Sequence, residues 1–154
     1  FPGRVRLSAE EHPFPLDNVV RFDTLYVETG RYLRQLLRDF RLAGGQVRIG
    51  TLPDRAAVEA LPETLIFNCT GLGARALFGD TELMPIRGQL AVLLPQPEIA
   101  YAYAFDAGYM FPRPDGLILG GTYERGAEDP TPQDADITRI LAKHAELMAG
   151  WRCG

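Results

Sequence analysis

The hydrophobic and polar positions change period along this chain. Between residues 29 and 45, Leu33, Leu36, Leu37 and Phe40 recur at helical spacing, while Arg31, Arg34, Arg38 and Arg41 take the other side. An amphipathic helix is predicted there, with Thr29 as its N-cap and Gly44-Gly45 as its stop. The arginine stripe has the charge to hold an anion, but it reads first as a solvated helix face. Upstream, residues 4–7 alternate as a strand, and residues 19–27 predict a second strand after a turn at Pro13 and Pro15. Downstream, short strands are predicted over 46–50 and 64–68, with a short helical piece over 56–61 between them.

After Asp80 the period drops to two. Residues 87–94 read as a strand, and so does Ile99-Ala100-Tyr101-Ala102-Tyr103-Ala104-Phe105, where alanine separates every large side chain. One face of that strand carries rings and the other packs closely. Core is the first reading of the rings, although two tyrosine hydroxyls require polar partners. Residues 109–113 and 117–123 form a hairpin across Pro114-Asp115-Gly116, so the sheet is antiparallel here. Thr131-Pro132-Gln133-Asp134 then starts a helix with a cap, a proline at the first position and an acid in the first turn. Its apolar face is Ile137, Ile140, Leu141, Leu147 and Met148, and His144 on that side reads as a satisfied interfacial histidine. The fold class is mixed α/β (α+β): a helix and strand succession in the style of a nucleotide-binding sheet, then an antiparallel sheet.

Composition narrows the function classes. The 154 residues, 46% hydrophobic and 23% charged, suit one globular domain or pieces of two. A net charge of -4 with dispersed arginines argues against nucleic-acid binding. Cys69 and Cys153 form neither a disulfide framework nor a metal spacing, and with only His12 and His144 beside them no catalytic metal is expected. Asn68-Cys69-Thr70 is a glycosylation sequon in letters, but it ends an apolar strand; a reduced, cytoplasmic protein is expected, with no membrane span.

The chemistry-bearing stretch runs from Leu65 to Leu77: an apolar run, a polar Asn68-Cys69-Thr70, then two glycines opening into a helical pattern. Such a turn brings backbone N–H groups to a helix start with no Cβ in the way, which suits a phosphate or dinucleotide. Gly71-x-Gly73-x-x-Ala76 matches the dinucleotide spacing, yet the acid expected about 20 residues on is replaced by Met84-Pro85-Ile86-Arg87-Gly88-Gln89. A nucleotide cofactor is therefore the first hypothesis, beside the reading that glycine serves only the turn's geometry.

Three segments in order carry a resemblance: Gly44-Gly45-Gln46-Val47; Asn68-Cys69-Thr70-Gly71-Leu72-Gly73-Ala74 with Arg87-Gly88-Gln89 behind it; and Tyr109-x-x-Pro112 followed by Leu119-Gly120-Gly121-Thr122. Together they resemble the middle of an FAD-dependent oxidoreductase of the D-amino-acid oxidase family. The resemblance implies part of a Rossmann-like FAD-binding domain over residues 29–79, flanked by antiparallel-sheet substrate-domain segments over 1–28 and 80–154. It implies a fragment without the family's N-terminal Gly-rich loop or its C-terminal segment, and so one expected to be inactive in isolation. Carried over by position, Cys69, Thr70 and Gly71 form a secondary contact to FAD, and Leu52 meets its adenosine half through the backbone. Tyr109 matches a tyrosine that hydrogen-bonds the substrate carboxylate, Phe105 falls where some members carry an aromatic lid, and Tyr101 and Tyr103 are placed on the same pocket face.

The implied reaction is oxidative deamination of a D-amino acid. The α-hydrogen leaves as hydride to the flavin, dioxygen reoxidises the flavin to give hydrogen peroxide, and no catalytic residue is required to act as a base. The protein's task is orientation and exclusion of water. A glycine or sarcosine oxidase of the same architecture is an alternative, as is a non-catalytic α+β module binding a partner through the Tyr101, Tyr103 and Phe105 face. A homodimer is left open.

Overall fold

A computed structural model describes residues 1–152, and Cys153 lies outside the described residues. Two compact units divide the chain: Phe1–Tyr32, Gly88–Tyr123 and the chain from Thr131 onward form the first, and Leu33–Arg87 with Glu124–Pro130 the second. In chain order the elements are β1 (Val5–Leu7), β2 (Val19–Arg21), α1 (Thr29–Leu42), α2 (Arg55–Glu59), α3 (Ala74–Phe78), β3 (Ile86–Arg87) and β4 (Leu90–Leu93). They continue with β5 (Tyr103–Phe105), β6 (Gly108–Arg113), β7 (Gly116–Gly120), β8 (Glu124–Arg125) and α4 (Asp134–Ala149). Helices and antiparallel sheets are thus mixed, as the fold class requires.

The first unit is built on a four-stranded antiparallel sheet in the order β4-β7-β6-β5, and β1 pairs separately with β2. Its register assigns the two faces. Tyr103, Met110, Leu119 and Ala91 lie opposite one another across the four strands, and their row faces α4. Met110, 2% exposed, centres a core of Ala91, Leu117, Leu119 and Ile140. The adjacent row, Ala104, Tyr109, Gly120 and Leu90, points the other way, as does Phe111 with Ile118 and Val92. The predicted hairpin is present, with Arg113 paired to Gly116 around Pro114-Asp115.

Helix α1 ends as its glycines require. Gly44 adopts φ +90°, its N–H donates to the Arg41 carbonyl (3.0 Å), and the Gly45 N–H reaches the Phe40 carbonyl (2.9 Å). This is a Schellman closure, and the Phe40 ring occupies the space a Gly45 side chain would need. The start lies one residue earlier than expected: the Glu28 carbonyl accepts from Arg31 and Tyr32, so Thr29 is the first helical residue and not the cap.

Further expectations are corrected. The 19–27 strand stops at Arg21, and the 99–105 strand retains only its last three residues as β5. Segments 46–50 and 64–68 form no strand; a strand is made by pairing, and among the described residues neither segment has a partner, so Ile49 and Phe67 stand exposed. The 87–94 strand breaks at Gly88-Gln89 into β3, which pairs with β8, and β4, which pairs with β7. Helix α4 is capped by Gln133, not Thr131: Gln133 is extended (φ -110°, ψ 116°), and its carbonyl accepts from Asp136 (3.0 Å) and Ile137 (3.1 Å).

The second unit holds most of α1, together with α2 capped by the Asp54 carboxylate on the Ala57 N–H (2.8 Å), and the β3–β8 ladder. Across that ladder Arg87 pairs with Glu124 (2.5 Å) and donates to the Asp129 carbonyl (2.8 Å). A half-buried guanidinium held by two acceptors gives this short ladder a directional bond besides its backbone pairs.

Candidate functional site

In the second unit, the polar turn after residue 67 is shaped by its own side chains. Asn68 Oδ1 accepts from the Thr70 N–H (3.2 Å) and from the Thr70 hydroxyl (2.7 Å), an Asx turn that reverses the chain. Gly71 follows at φ +56°, a conformation L side chains rarely adopt, and no atom lies within 4 Å of where its Cβ would stand. A 3-10 turn, Gly71–Gly73, leads into α3, anchored by buried Ala74 and Leu77. Cys69, Thr70 and Gly71 are therefore presented together on an open turn. Leu52 lies in the irregular segment before Asp54, and no described hydrogen bond joins it to that turn.

In the first unit, Tyr109 lies half-buried on the sheet face opposite α4. Its ring rests over Gly120, where any Cβ would collide with it, and a Cβ on Gly121 would come within 3.1 Å of its hydroxyl. Phe111 flanks it at 5.3 Å between ring centroids, and Tyr26 stacks on Phe111 at 5.9 Å and 20°. The result is a phenol above a backbone floor, with an aromatic wall beside it.

Tyr103 and Phe105 do not share that space, which corrects the expected common face. The pleat sends their side chains toward α4, since Tyr103 is paired with Met110 and Ala104, between them, with Tyr109. Phe105 stands edge-on to His144 (5.3 Å, 81°), and Tyr103 meets Phe14 at 5.7 Å. Tyr101 lies outside the strand and is 43% exposed, and the desolvation of its covered part raises its pKa.

His144 has the satisfied interfacial role expected of it. Its Nε2 lies 3.2 Å from the Gly120 carbonyl, which only accepts, so Nε2 carries the hydrogen and Nδ1 accepts from the Tyr103 hydroxyl at 2.8 Å. Burial lowers the His144 pKa, opposed by the bond to Gly120. Burial pushes the Tyr103 phenol up to about 12, with the neighbouring Tyr101 adding to the shift. Both groups are neutral at ordinary pH.

One residue of this network escaped the sequence reading. Gln89 is 6% exposed and bonded at every polar group: its N–H donates to Thr122 Oγ1 (2.9 Å) and its carbonyl accepts from the Thr122 N–H (3.2 Å). Its side chain donates to Asp136 Oδ2 (2.9 Å) and accepts from the Gln133 N–H (2.6 Å). In the sequence it stood only within the Arg87-Gly88-Gln89 stretch of the resemblance, with no role of its own. Arg113 is engaged by both carboxylate oxygens of Asp115, through Nε at 2.7 Å and through a terminal nitrogen. Among the described residues no cluster of His, Cys, Asp and Glu is arranged to hold a metal ion, and no helix is long and apolar enough to cross a membrane.

The backbone turn and the Tyr109 platform lie in a chain that matches the model of the FAD-dependent oxidoreductase family over residues 4–151. The chain belongs to that family. It is 37% identical over 119 residues to a D-amino-acid oxidase of Streptomyces coelicolor, an alignment covering 72% of the chain and 36% of that protein. It is 34% identical over 154 residues to a D-amino-acid oxidase of Rubrobacter xylanophilus, covering 94% and 45%. A D-aspartate oxidase of Cryptococcus neoformans is 31% identical over 172 residues, covering 95% and 43%. The chain spans less than half the length of each of these curated relatives.

Proposed function

We propose that this chain serves an FAD-dependent oxidase that deaminates D-amino acids, with dioxygen as the electron acceptor. The observation that carries the reading is Tyr109: a phenol over a glycine floor, in a chain of a family whose relatives are named D-amino-acid and D-aspartate oxidases. Its hydroxyl donates to the substrate carboxylate and so orients the Cα–H bond. Phe111 and Tyr26 provide an apolar side to the same face and exclude water there.

The turn at Cys69, Thr70 and Gly71 fits a contact to the nucleotide of FAD, because the space beside Gly71 is open and its backbone is already in the conformation that brings main chain against a ligand. Leu52 is assigned to the adenosine half on position alone. When bound, FAD supplies the ring that accepts the α-hydrogen as hydride. The substrate nitrogen gives up a proton, and water then releases ammonia from the imino acid to leave a 2-oxo acid. Dioxygen leaves as hydrogen peroxide.

Neutral side chains suit the Tyr109 face better than acidic ones. Arg113, the cation nearest along β6, is already paired with Asp115, and the wall beside Tyr109 is aromatic. The test is a flavin absorbance spectrum of the purified full-length protein, followed by peroxide release on addition of D-alanine and of D-aspartate. A colourless protein that releases no peroxide with any D-amino acid overturns the proposal.

A further inference from the structure

We propose that Gln89 and His144 are positioning residues for Tyr109: working from the face of the sheet that carries α4, they hold the Gly120–Thr122 backbone on which the Tyr109 ring rests. The inference goes beyond the proposed function, and only its ligand arm depends on that reading.

The Tyr109 ring fills the place where a Gly120 side chain would stand, and its hydroxyl lies beside Gly121. Ring and hydroxyl are thus located by main chain. Two consecutive glycines are the most permissive backbone available, so such a floor holds one shape only if its own polar groups are tied. They are tied from both ends. The Gly120 carbonyl accepts from His144 Nε2, and Thr122 is held by the Gln89 main chain, whose N–H donates to the Thr122 hydroxyl and whose carbonyl accepts from the Thr122 N–H.

Each tie is itself anchored in α4. His144 belongs to that helix, and the Tyr103 hydroxyl fixes its tautomer by donating to Nδ1. Gln89 grips the helix start through the Gln133 N–H and the Asp136 carboxylate. Both residues are buried, at 6% and 4% exposure, and each of these bonds has a defined donor and acceptor. A buried amide or imidazole with all its partners satisfied resists rearrangement, because breaking one bond strands its partner without water. A continuous hydrogen-bonded path therefore runs through the sheet from α4 to the floor of the Tyr109 face.

The experiment uses the purified holoprotein with ring-13C-labelled tyrosine, the Tyr109 signal being assigned by its loss in Tyr109→Phe. Gln89→Met keeps side-chain volume and removes both side-chain bonds; His144→Leu removes the donor to Gly120; His144→Gln retains a donor. We expect the Tyr109 signal to shift or broaden in Gln89→Met and His144→Leu and to return toward its wild-type position in His144→Gln. Propionate, a bare carboxylate, should bind about tenfold more weakly to the first two variants by calorimetry. With D-alanine, KM should rise by the same factor while kcat changes less.

A Tyr109 signal unmoved in folded Gln89→Met and His144→Leu overturns the inference. Should His144→Leu fail to fold, Thr122→Val, which removes the hydroxyl that accepts from the Gln89 N–H, takes its place beside Gln89→Met. Propionate binding equal in wild type and Tyr109→Phe would instead defeat the carboxylate reading of Tyr109, and the tyrosine signal would still settle whether Gln89 and His144 position it.

Discussion

The Tyr103 hydroxyl donates to His144 Nδ1 across 2.8 Å, joining the second tyrosine of an alternating stretch to a helix residue 41 positions later. That bond turns a strand of rings into one wall of a core with a defined polar seam. Removing the hydroxyl in Tyr103→Phe leaves a buried imidazole nitrogen without its donor. The expected loss is about 1–3 kcal/mol of folding stability, read by chemical denaturation. An unchanged midpoint would show that the seam contributes nothing.

The same pair sets two limbs of a stability–pH curve. Burial lowers the His144 pKa, so below the ordinary value of 6.5 the unfolded chain takes up a proton that the folded chain resists, and stability falls as pH drops from there until it passes the folded pKa. Tyr103 titrates at about 12 in the folded protein against 10.0 when unperturbed, so the folded state keeps a proton the unfolded state releases, and stability falls between those values as pH rises. Thermal midpoints measured across pH should show both limbs. His144→Gln should flatten the acid limb, and Tyr103→Phe the alkaline one.

Gly71 combines a left-handed backbone with open space around it. Gly71→Val meets no protein atom yet must adopt φ +56°, at a cost of roughly 1–2 kcal/mol. The apoprotein should stay folded with that modest loss, while flavin affinity falls by more than tenfold, followed by fluorescence quenching. Wild-type flavin affinity would return the turn to a purely structural role.

Gly120 presents the opposite situation, because the Tyr109 ring already fills its side-chain space. Gly120→Ala should cost about 1–3 kcal/mol through overpacking and displace the phenol. Carboxylate affinity should fall with it. A variant as stable as wild type would mean the ring moves aside freely.

Tyr109→Phe removes only the hydroxyl. A hydrogen bond to a charged group contributes about 1.5–3 kcal/mol, so affinity for a D-amino acid should weaken by roughly ten- to a hundredfold. Flavin content should not change, and the rate of flavin reduction at saturating substrate should fall less than the affinity. Stopped-flow reduction measures both, and unaltered substrate affinity removes Tyr109 from the proposed site.

Local pattern was enough for α1, for the β6–β7 hairpin and for the apolar side of α4, because helical and strand periods, a Gly-Gly stop and a Pro-Asp-Gly turn act within a few residues. The mixed fold class and the resemblance through Thr70-Gly71 and Tyr109-x-x-Pro112 were readable for the same reason. Alternation along residues 99–105 separated two faces, but it carried no information on which face α4 covers. That was decided by register with Met110 and by a helix about 30 residues further along the chain, and it put Tyr103 and Phe105 on the side away from Tyr109. Segments 46–50 and 64–68 had strand composition without a strand, since pairing requires a neighbour that composition does not supply. Gln89 and His144 took their meaning from partners 24 to 47 residues distant, and only the folded chain brings such donors and acceptors within bonding reach of the two glycines under Tyr109.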